Sequence, residues 1–187
     1  MKLKQIILLT MLMSMVGAKA LAIVNIDGIY YFFSGTNAIV THSDLNFYYK
    51  YTGSVVIPET VTYNGTTYSV TRIGDEAFKY SSELTSVAIP NSVTSIGKDA
   101  FYDLYGLSRV NISDLSAWCI IEFESSSSNP LRYADLYLNE EEVKDLIIPN
   151  SVTSISSYAF YGCYSLTSVT IPNSVTSIGS YAFAYCI

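Results

Sequence analysis

One octapeptide, Ile-Pro-Asn-Ser-Val-Thr-Ser-Ile, occurs three times without a change, at residues 89–96, 148–155 and 171–178. The prolines of the last two copies, Pro149 and Pro172, lie 23 positions apart. A segment that recurs at a period of about 20 to 50 residues is the signature of a solenoid, in which each repeat buries its apolar face against its neighbours. The sequence therefore predicts a stacked array of coils.

The extended segments of a repeat have a clear inside and outside. In the second repeat, Val87 and Ile89 stand two positions apart in a run of strand-forming residues. Because side chains alternate between the two faces of a strand, we expect Val87 and Ile89 to enter the core and Ser86 and Ala88 to face solvent. A short helical turn beginning near Lys98 is expected to close the coil, and the sequence leaves open whether each Ala-Phe turn is α-helical, 3₁₀ or irregular. The predicted fold class is a β-rich repeat solenoid with short helical turns.

The start of the chain has the composition of a secretory signal peptide. Lys2 and Lys4 precede an apolar run at 6–16, and small-x-small cleavage sites end at Ala20 and Ala22. This succession of positive, apolar and small residues is that of a signal peptide. The apolar run is shorter than the roughly 20 residues that span a membrane. We therefore expect export, with cleavage near Ala20 or Ala22, and contact with a membrane only during export.

The remaining chain divides into a leading segment and the array. Strand-like runs separated by Gly35, Asn37 and similar turn residues, including a run at 47–51, predict a small antiparallel β cap. Asn64-Gly65 between two β-rich arms predicts a hairpin, since both turn positions need positive φ. The predicted organisation is a signal peptide at 1–22, an N-terminal β cap at 23–52 and a solenoid at 53–187, with a hairpin insert at 61–70 and an irregular repeat at 107–142.

The repeat at 107–142 departs from the pattern. Asp114 is placed to cap a short helical turn through its carboxylate. The four consecutive serines at 125–128 are expected to form an exposed loop, and a strand is expected around 136–138. The glutamates at 140–142 are interpreted as a solvated turn, because no histidine or second acidic cluster is placed to complete a metal or acid–base site.

Charge and composition exclude several classes of function. Half of the residues are hydrophobic and 14% are charged, which is not the composition of a disordered chain. Removing residues 1–22 leaves 7 Lys and Arg against 16 Asp and Glu, a net charge near −9. A nucleic-acid-binding protein needs a basic surface, and anionic lipid attracts basic segments. We therefore expect no nucleic-acid partner.

No residue pattern supports catalysis or a cofactor. His42 is the single histidine, so a Ser-His-Asp or Cys-His site would have to use it. It lies beside Ser43 in a turn-rich stretch, which favours a surface position. The three cysteines are too scattered for a zinc site, and the glycines lack the flanking pattern of a phosphate loop. We predict a non-enzymatic protein with no catalytic residue, metal or cofactor.

Two of the cysteines occupy the same place in adjacent coils, because Cys163 and Cys186 are 23 positions apart. Neighbouring coils stack about 5 Å apart and a disulfide accepts Cα separations of about 4.4–6.8 Å, so a bridge is geometrically allowed. The alternative is a pair of small buried hydrophobes, which the equivalent positions Ser81 and Leu104 favour. Both interpretations stay open, and Cys119 has no evident partner.

The outward side chains of the strands form the candidate binding surface. Solenoids use extended faces of this kind to bind proteins, and small or polar side chains suit a broad contact better than a deep pocket. A solvated face without a ligand is the alternative, and the sequence does not decide between the two. The candidate residues are Ser54, Val56, Ser86, Ala88, Arg109, Asn111, Asp145, Ile147, Ser168 and Thr170.

The repeat resembles those of the BspA-like leucine-rich repeat family of bacterial surface and secreted proteins. The motif is Leu-Thr-Ser-Val-x-Ile-Pro-Asn-Ser-Val-Thr-Ser-Ile-Gly-x-x-Ala-Phe, and it covers roughly 53–112 and 143–187. The resemblance implies a solenoid of the leucine-rich-repeat type, secreted or at the cell surface. It also implies a protein partner, with adhesion to host extracellular matrix or to other cells. The Pro-Asn that follows each strand departs from the usual asparagine position of such repeats.

Two functional hypotheses remain after these exclusions. The first is protein–protein binding through the strand face, by many weak contacts and without covalent chemistry. The second is a structural spacer or assembly module, or part of a longer array, with no ligand of its own. Its basis is that the chain stops at Ile187, before the next expected strand. The last coil has no recognisable cap, so this end is expected to be open to self-association.

Overall fold

The computed structural model describes residues 22–43 and 50–186, and within them the chain winds as the predicted β-rich solenoid, which is confirmed. The strands are β1 (Val24–Ile26), β2 (Ile29–Ser34), β3 (Asn37–Thr41), β4 (Gly53–Val56), β5 (Thr60–Tyr63), β6 (Thr66–Ile73), β7 (Leu84–Ala88), β8 (Ser95–Ile96), β9 (Arg109–Ile112), β10 (Glu122–Phe123), β11 (Asp135–Leu138), β12 (Glu141–Glu142), β13 (Asp145–Ile147), β14 (Ser154–Ile155), β15 (Ser168–Thr170) and β16 (Ser177–Ile178). The helices within these residues are α1 (Leu115–Cys119) and two 3₁₀ helices, Ser126–Ser128 and Pro130–Arg132. The predicted signal peptide lies outside the described residues, except for Ala22.

Each regular coil contributes a strand to each of two sheets. The front sheet has the strand order β12-β11-β9-β7-β4, and the back sheet has the order β1-β2-β3-β6-β8-β10, with β5 paired to β6. Neighbouring coils pair in parallel at the 23-residue register, as in Ser86 opposite Arg109 at the front and Arg72 opposite Ser95 at the back. The last two coils form separate pairs, β13-β15 and β14-β16.

Side-chain alternation fills the space between the sheets. Val87 is 0% exposed and Ile89 is 4% exposed, whereas Ser86 and Ala88 are partly exposed, so the predicted inward and outward assignments are confirmed. The strands therefore bury their apolar residues as a continuous ladder from coil to coil.

Phenylalanines stack along the array behind the strands. The rings of Phe78 and Phe101 lie 5.0 Å apart, centroid to centroid, at an interplanar angle of 9°. Phe160 and Phe183 repeat this arrangement at 5.2 Å. Each of these residues belongs to an Ala-Phe pair, so the recurring dipeptide supplies one ring per regular coil to the core.

The third side of each regular coil is a series of turns, not a helix. The N–H groups of Glu76, Phe78 and Tyr80 donate to carbonyls of the next coil at 2.8–3.0 Å, while the alternate N–H groups donate three residues back within their own coil. Glu76 and Tyr80 have positive φ, which a continuous right-handed helix does not allow. The same left-handed positions recur at Asp99, Asp103, Tyr158, Gly162, Tyr181 and Tyr185. The predicted helical turn near Lys98 is therefore wrong, because every second backbone N–H donates to a carbonyl of the neighbouring coil and not to one within its own coil.

The irregular repeat is held by local capping contacts. Asp114 caps α1 as predicted, and its carboxylate accepts a hydrogen bond from the Ser116 N–H at 2.7 Å. Strand β11 forms where a strand was predicted, and a turn at 139–140 returns the chain antiparallel as β12. The predicted turn is therefore wrong for Glu141 and Glu142, which form that strand. The predicted exposed serine loop is wrong, because residues 125–127 are only partly exposed. It folds as a 3₁₀ helix in which Ser128 is fully buried, and its hydroxyl accepts from the Ser125 N–H at 3.0 Å.

The first strands form an antiparallel extension of the back sheet. β1, β2 and β3 pair antiparallel, and β3 then pairs in parallel with β6. The hairpin of β5 and β6 turns at Asn64 and Gly65, whose φ values are 49° and 77°. The strand expected at 47–51 lies mostly outside the described residues. The division between cap and array at 52 and 53 stays a prediction, because β3 and β6 share one sheet.

Candidate protein-binding face

The front sheet presents six of the ten candidate residues in two rows. The first row is Ser54, Ser86 and Arg109, and the second is Val56, Ala88 and Asn111. The other four lie on the separate pair β13-β15, where Asp145 is opposite Ser168 and Ile147 is opposite Thr170. The ten candidate residues therefore do not share one sheet. Strand β11 pairs with β9 on one side and with the hairpin strand β12 on the other, so β13 has no edge of β11 to join.

Strand β11 adds two residues that the sequence interpretation missed. Asp135 is in register with Arg109, and Tyr137 is in register with Asn111, so each extends one of the two rows. They were missed because this repeat lacks the Ile-Pro-Asn segment that follows the regular strands. The alternation of inward and outward residues along this strand could have identified them, since the fully buried Leu136 lies between the two outward side chains.

Arg109 is held in a defined orientation near the middle of the front sheet. Its Cζ lies 3.9 Å from the centroid of the Tyr137 ring, a cation–π contact. Its Nε donates to Asn111 Oδ1 at 2.7 Å, and its Nη2 donates to the carboxylate and the carbonyl oxygen of Glu140. A long side chain restrained in this way loses less conformational entropy when a partner binds.

The β11-β12 turn places negative charge beside this cluster. Asn139 and Glu140 both have positive φ, at 50° and 72°, as a two-residue hairpin turn of the primed type requires. The Glu140 side chain is 81% exposed although it pairs with Arg109. Glu141 is exposed as well. The edge of the front sheet is therefore acidic, which favours approach of a partner with a basic surface.

The remaining candidates mix exposed apolar and internally bonded polar side chains. Val56 is 68% exposed and Ile147 is 67% exposed. The hydroxyls of Ser168 and Thr167 donate to Asp145 Oδ1 at 2.6 and 2.9 Å, and these hydrogen bonds lower the pKa of the Asp145 carboxyl from its usual value. The face therefore offers both apolar contact area and oriented polar groups, as protein interfaces do.

No catalytic or metal constellation forms around the candidate residues that the sequence offered. His42 Nδ1 lies 3.2 Å from the carbonyl oxygen of its neighbour Ser43. Across residues 22–43 and 50–186, no three His, Cys, Asp or Glu side chains are grouped so that they could hold a metal ion.

The cysteines are free thiols in the structure. Cys119 and Cys163 are fully buried, and burial raises the pKa of each thiol to about 12. Cys186 is partly exposed and donates its S–H to the Phe160 carbonyl at 3.0 Å. Of the two alternatives for Cys163 and Cys186, the structure has the unbridged one.

We expect the three thiols to react at very different rates. At pH 8, burial and a raised pKa keep Cys119 and Cys163 neutral, so a thiol reagent should modify Cys186 first in the native protein, although partial burial raises the pKa of Cys186 too. In denaturant without reductant all three should react. Mass spectrometry of labelled peptides measures this. A single reactive thiol in denaturant would contradict the unbridged arrangement and indicate a Cys163–Cys186 disulfide.

The fold defines a class, a solenoid of the leucine-rich-repeat type with parallel strand ladders at a 23-residue register. The family model for the BspA type leucine-rich repeat region matches residues 41–129 and 133–187, in six copies. The match covers most of the sequence, and the chain belongs to this family. Proteins with these repeats are typically bacterial cell-surface proteins that bind other proteins without catalysis.

Solved structures similar to this chain come from several bacteria. A leucine-rich cell surface protein of Faecalibacterium prausnitzii is 26% identical with a TM-score of 0.57, and the match covers 90% of this chain and 53% of that one. A leucine-rich repeat protein of Bacteroides ovatus is 24% identical with a TM-score of 0.49, over 87% and 45%. The T. pallidum leucine-rich repeat protein is 22% identical with a TM-score of 0.49, over 88% and 68%. The chain spans about half the length of the first two.

The search of curated proteins found no match. In the described part of the chain, no helix has the length and apolar character to cross a membrane.

Proposed function

We propose that this chain is an exported, non-enzymatic binding protein that recognises protein partners through its front sheet. The observation that carries the proposal is the Arg109–Tyr137 cluster. Arginine and tyrosine are among the residues that contribute most to the affinity of protein interfaces. Here they are in contact, oriented by Asn111 and Glu140, and set among small side chains that allow close approach.

The surroundings of the cluster suit a broad and flat partner. Val56 supplies exposed apolar surface at the far end of the front sheet. Restrained arginine and tyrosine side chains give specific contacts, and the small residues on β4 and β7 exclude water without obstructing the partner. We infer adhesion to host extracellular matrix or to other cells as the biological use of this face.

The export part of the proposal rests on residues 1–22. Their succession of positive, apolar and small residues predicts a signal peptide, and they lie almost entirely outside the described residues. A secreted or cell-surface location agrees with the typical location of the family. The N-terminal sequence of the protein recovered from culture medium or from the cell surface tests it. A mature protein that begins with Met1 would contradict it.

We expect Arg109→Ala to reduce binding to a protein ligand about 30-fold or more, the effect of removing a residue that contributes about 2 kcal/mol. Tyr137→Ala should have an effect of similar size, because it removes the ring under the guanidinium. Surface-plasmon resonance on a panel of immobilised extracellular-matrix proteins, and binding to whole bacterial cells, measure the affinity.

The back sheet offers a matched control for this experiment. Arg72 also projects outward, its side chain is 30% exposed against 32% for Arg109, and it also pairs with a glutamate, Glu124. Arg72→Ala should leave the affinity unchanged. Equal losses for Arg72→Ala and Arg109→Ala, in proteins with unchanged melting temperature, would move the binding face away from the front sheet.

A second candidate function, a structural module that stacks on another chain, rests on a different observation. Val169, Ile171 and Ile178 occupy inward positions of the repeat, yet they are 39%, 40% and 50% exposed. Within the described residues, β15 and β16 pair on one side only. Edge strands with exposed apolar residues favour pairing with a further strand. Light scattering over a range of concentrations tests this: growth of mass with concentration supports assembly, and a monomer throughout excludes it.

A further inference from the structure

We infer that the cleft between the irregular repeat and the coil that follows it binds one pyranose unit of a neutral carbohydrate. The cleft has a volume of about 200 Å³ and is open to solvent. Its lining includes Leu131, Arg132, Tyr133, Asp135 and Tyr164. Arg109 and Tyr137 are not part of the lining, although Asp135 also extends one row of the front face.

The cleft exists because the irregular repeat replaces the regular turns with two 3₁₀ helices. The second of these, Pro130–Arg132, crosses directly over the turn of the next coil at Gly162. A Cβ atom at Gly162 would lie 2.9 Å from the Arg132 Cα, and Gly162 has φ of 75°, so both space and backbone require glycine. The regular coils carry Tyr80, Asp103 or Tyr185 at the equivalent left-handed position. This glycine therefore allows the two backbones to approach and leaves the cleft beside them.

Two charged groups in the cleft make no hydrogen bond or ion pair within the described residues. The Asp135 carboxylate makes no hydrogen bond or ion pair there, although its backbone N–H is bonded to the Ser108 carbonyl. The Arg132 guanidinium makes no hydrogen bond there either, and lies 5.8 Å from the centroid of the Tyr133 ring. Elsewhere on the array, Arg72 and Arg109 are both paired with carboxylates. An acceptor and a donor therefore remain available to a ligand.

Two tyrosine rings in the cleft, those of Tyr133 and Tyr164, are positioned to contact a ligand. The Tyr133 hydroxyl accepts a hydrogen bond from the Asp103 N–H at 3.1 Å, and its ring meets Tyr105 edge to face at 5.9 Å. Tyr164 is 56% exposed and makes no ring contact among the described residues, so its ring is open to a ligand. Tyrosine supplies a rigid amphipathic surface at a low cost in conformational entropy.

This combination selects among ligand classes. An anion would meet the Asp135 carboxylate, and a cation would meet the Arg132 guanidinium. An apolar side chain would leave both charged groups without a partner, which costs free energy. A pyranose can contact the carboxylate, the guanidinium and a tyrosine ring together. Its hydroxyls donate to the carboxylate and accept from the guanidinium, and its C–H face covers the ring.

The test is a titration of the purified protein with four methyl pyranosides, those of glucose, galactose, mannose and N-acetylglucosamine, followed by saturation-transfer NMR. We expect saturable binding of at least one glycoside with a Kd on the order of millimolar, a typical affinity for so small a ligand. Tyr164→Ala and Asp135→Asn should each raise that Kd about tenfold or more. Both side chains are at least partly exposed, so the fold should be retained, as circular dichroism can verify.

The controls separate this site from the rest of the surface. Tyr181→Ala removes another exposed tyrosine, 63% exposed and outside the lining, and should leave the Kd unchanged. Arg109→Ala should also leave it unchanged, whatever it does to protein binding. The inference is overturned if none of the four glycosides binds at concentrations up to about 50 mM, or if the cleft variants bind as the parent does. Tighter binding of inorganic sulfate or of cyclohexanol than of every glycoside would overturn it as well.

Discussion

Asn129→Asp is expected to destabilise the fold by on the order of 4 kcal/mol. Asn129 is 0% exposed, and its Nδ2 donates to the carbonyls of Tyr158 and Ala159 at 2.6 and 2.9 Å. Its Oδ1 accepts from the Leu131 N–H at 2.8 Å. An aspartate would place a buried acceptor against two carbonyl oxygens that can only accept. Since a domain of this size is stabilised by about 5–15 kcal/mol, this loss is a large fraction of the total.

Urea unfolding followed by circular dichroism measures the effect, with Asn150→Asp as the matched control. Asn150 belongs to an octapeptide and is exposed, so the same chemical change there should alter the free energy of unfolding by less than about 0.5 kcal/mol. If Asn129→Asp does not fold, soluble yield and the near-ultraviolet spectrum still distinguish it from the control. Equal midpoints for the two variants would contradict the role assigned to Asn129.

The size of this effect follows from the position of Asn129 between two stretches of regular array. In a regular coil, the Ala100 carbonyl accepts from the N–H of Phe78 in the preceding coil. The equivalent Ala159 carbonyl has the irregular repeat before it. It accepts instead from the Trp118 Nε1–H and the Asn129 amide, both at 2.9 Å. Two side chains thus replace the backbone donors that the interrupted ladder no longer supplies.

Phe101→Ala is expected to cost about 3–5 kcal/mol, the usual loss when a fully buried phenylalanine is truncated. Phe101 is 0% exposed and stacks on Phe78 in the middle of the array. Phe183 occupies the same repeat position and stacks on Phe160 in the same way, but it is only partly buried. Phe183→Ala should therefore cost about 1–2 kcal/mol less than Phe101→Ala.

Both variants can be compared by their urea midpoints, because they remove the same atoms from the same local sequence, Ala-Phe. The slope of the unfolding curve should be unchanged if unfolding remains two-state. A Phe183→Ala loss as large as that of Phe101→Ala would mean that Phe183 is covered in solution, for example by a second chain. Saturable assembly in the light-scattering experiment would then be expected too.

The regular coils could be predicted because the same short sequence pattern recurs in each of them. A fixed period places each strand beside its counterpart, and alternation then assigns inside and outside, as at Val87 and Ser86. The turn side was not predictable in detail. Its left-handed residues include tyrosines such as Tyr80 and Tyr181, which have no intrinsic preference for positive φ. The hydrogen bonds between neighbouring coils impose this conformation. The conformational propensity of a residue carries no information about those hydrogen bonds.

The candidate face was predictable residue by residue but not as a surface. Arg109 and Asn111 followed from the strand pattern, whereas Tyr137 lies in a repeat where that pattern is lost. Asp145 and Ile147 lie apart from the front sheet because the free edge of β11 pairs with β12 and therefore cannot pair with β13. The sequence pattern does not indicate which of these two strands joins that edge. Likewise, Asn129 reaches a coil 30 residues away through its side chain, and no local pattern signals such a contact.

The side-chain connection at Trp118 and Asn129 also determines how such a gene can change in length. Unequal exchange between the identical segments at 148–155 and 171–178 would add a coil or remove one, and the removal would delete Gly162 and Tyr164 of the cleft. The length of the molecule would change by about 4.8 Å, and the strands of neighbouring coils would stay in register. Exchange between either segment and the copy at 89–96 would instead delete the connection together with Arg109, Tyr137 and the pyranose cleft. Variants with intact recognition surfaces are therefore expected to be longer forms, with coils added on the C-terminal side of residue 148.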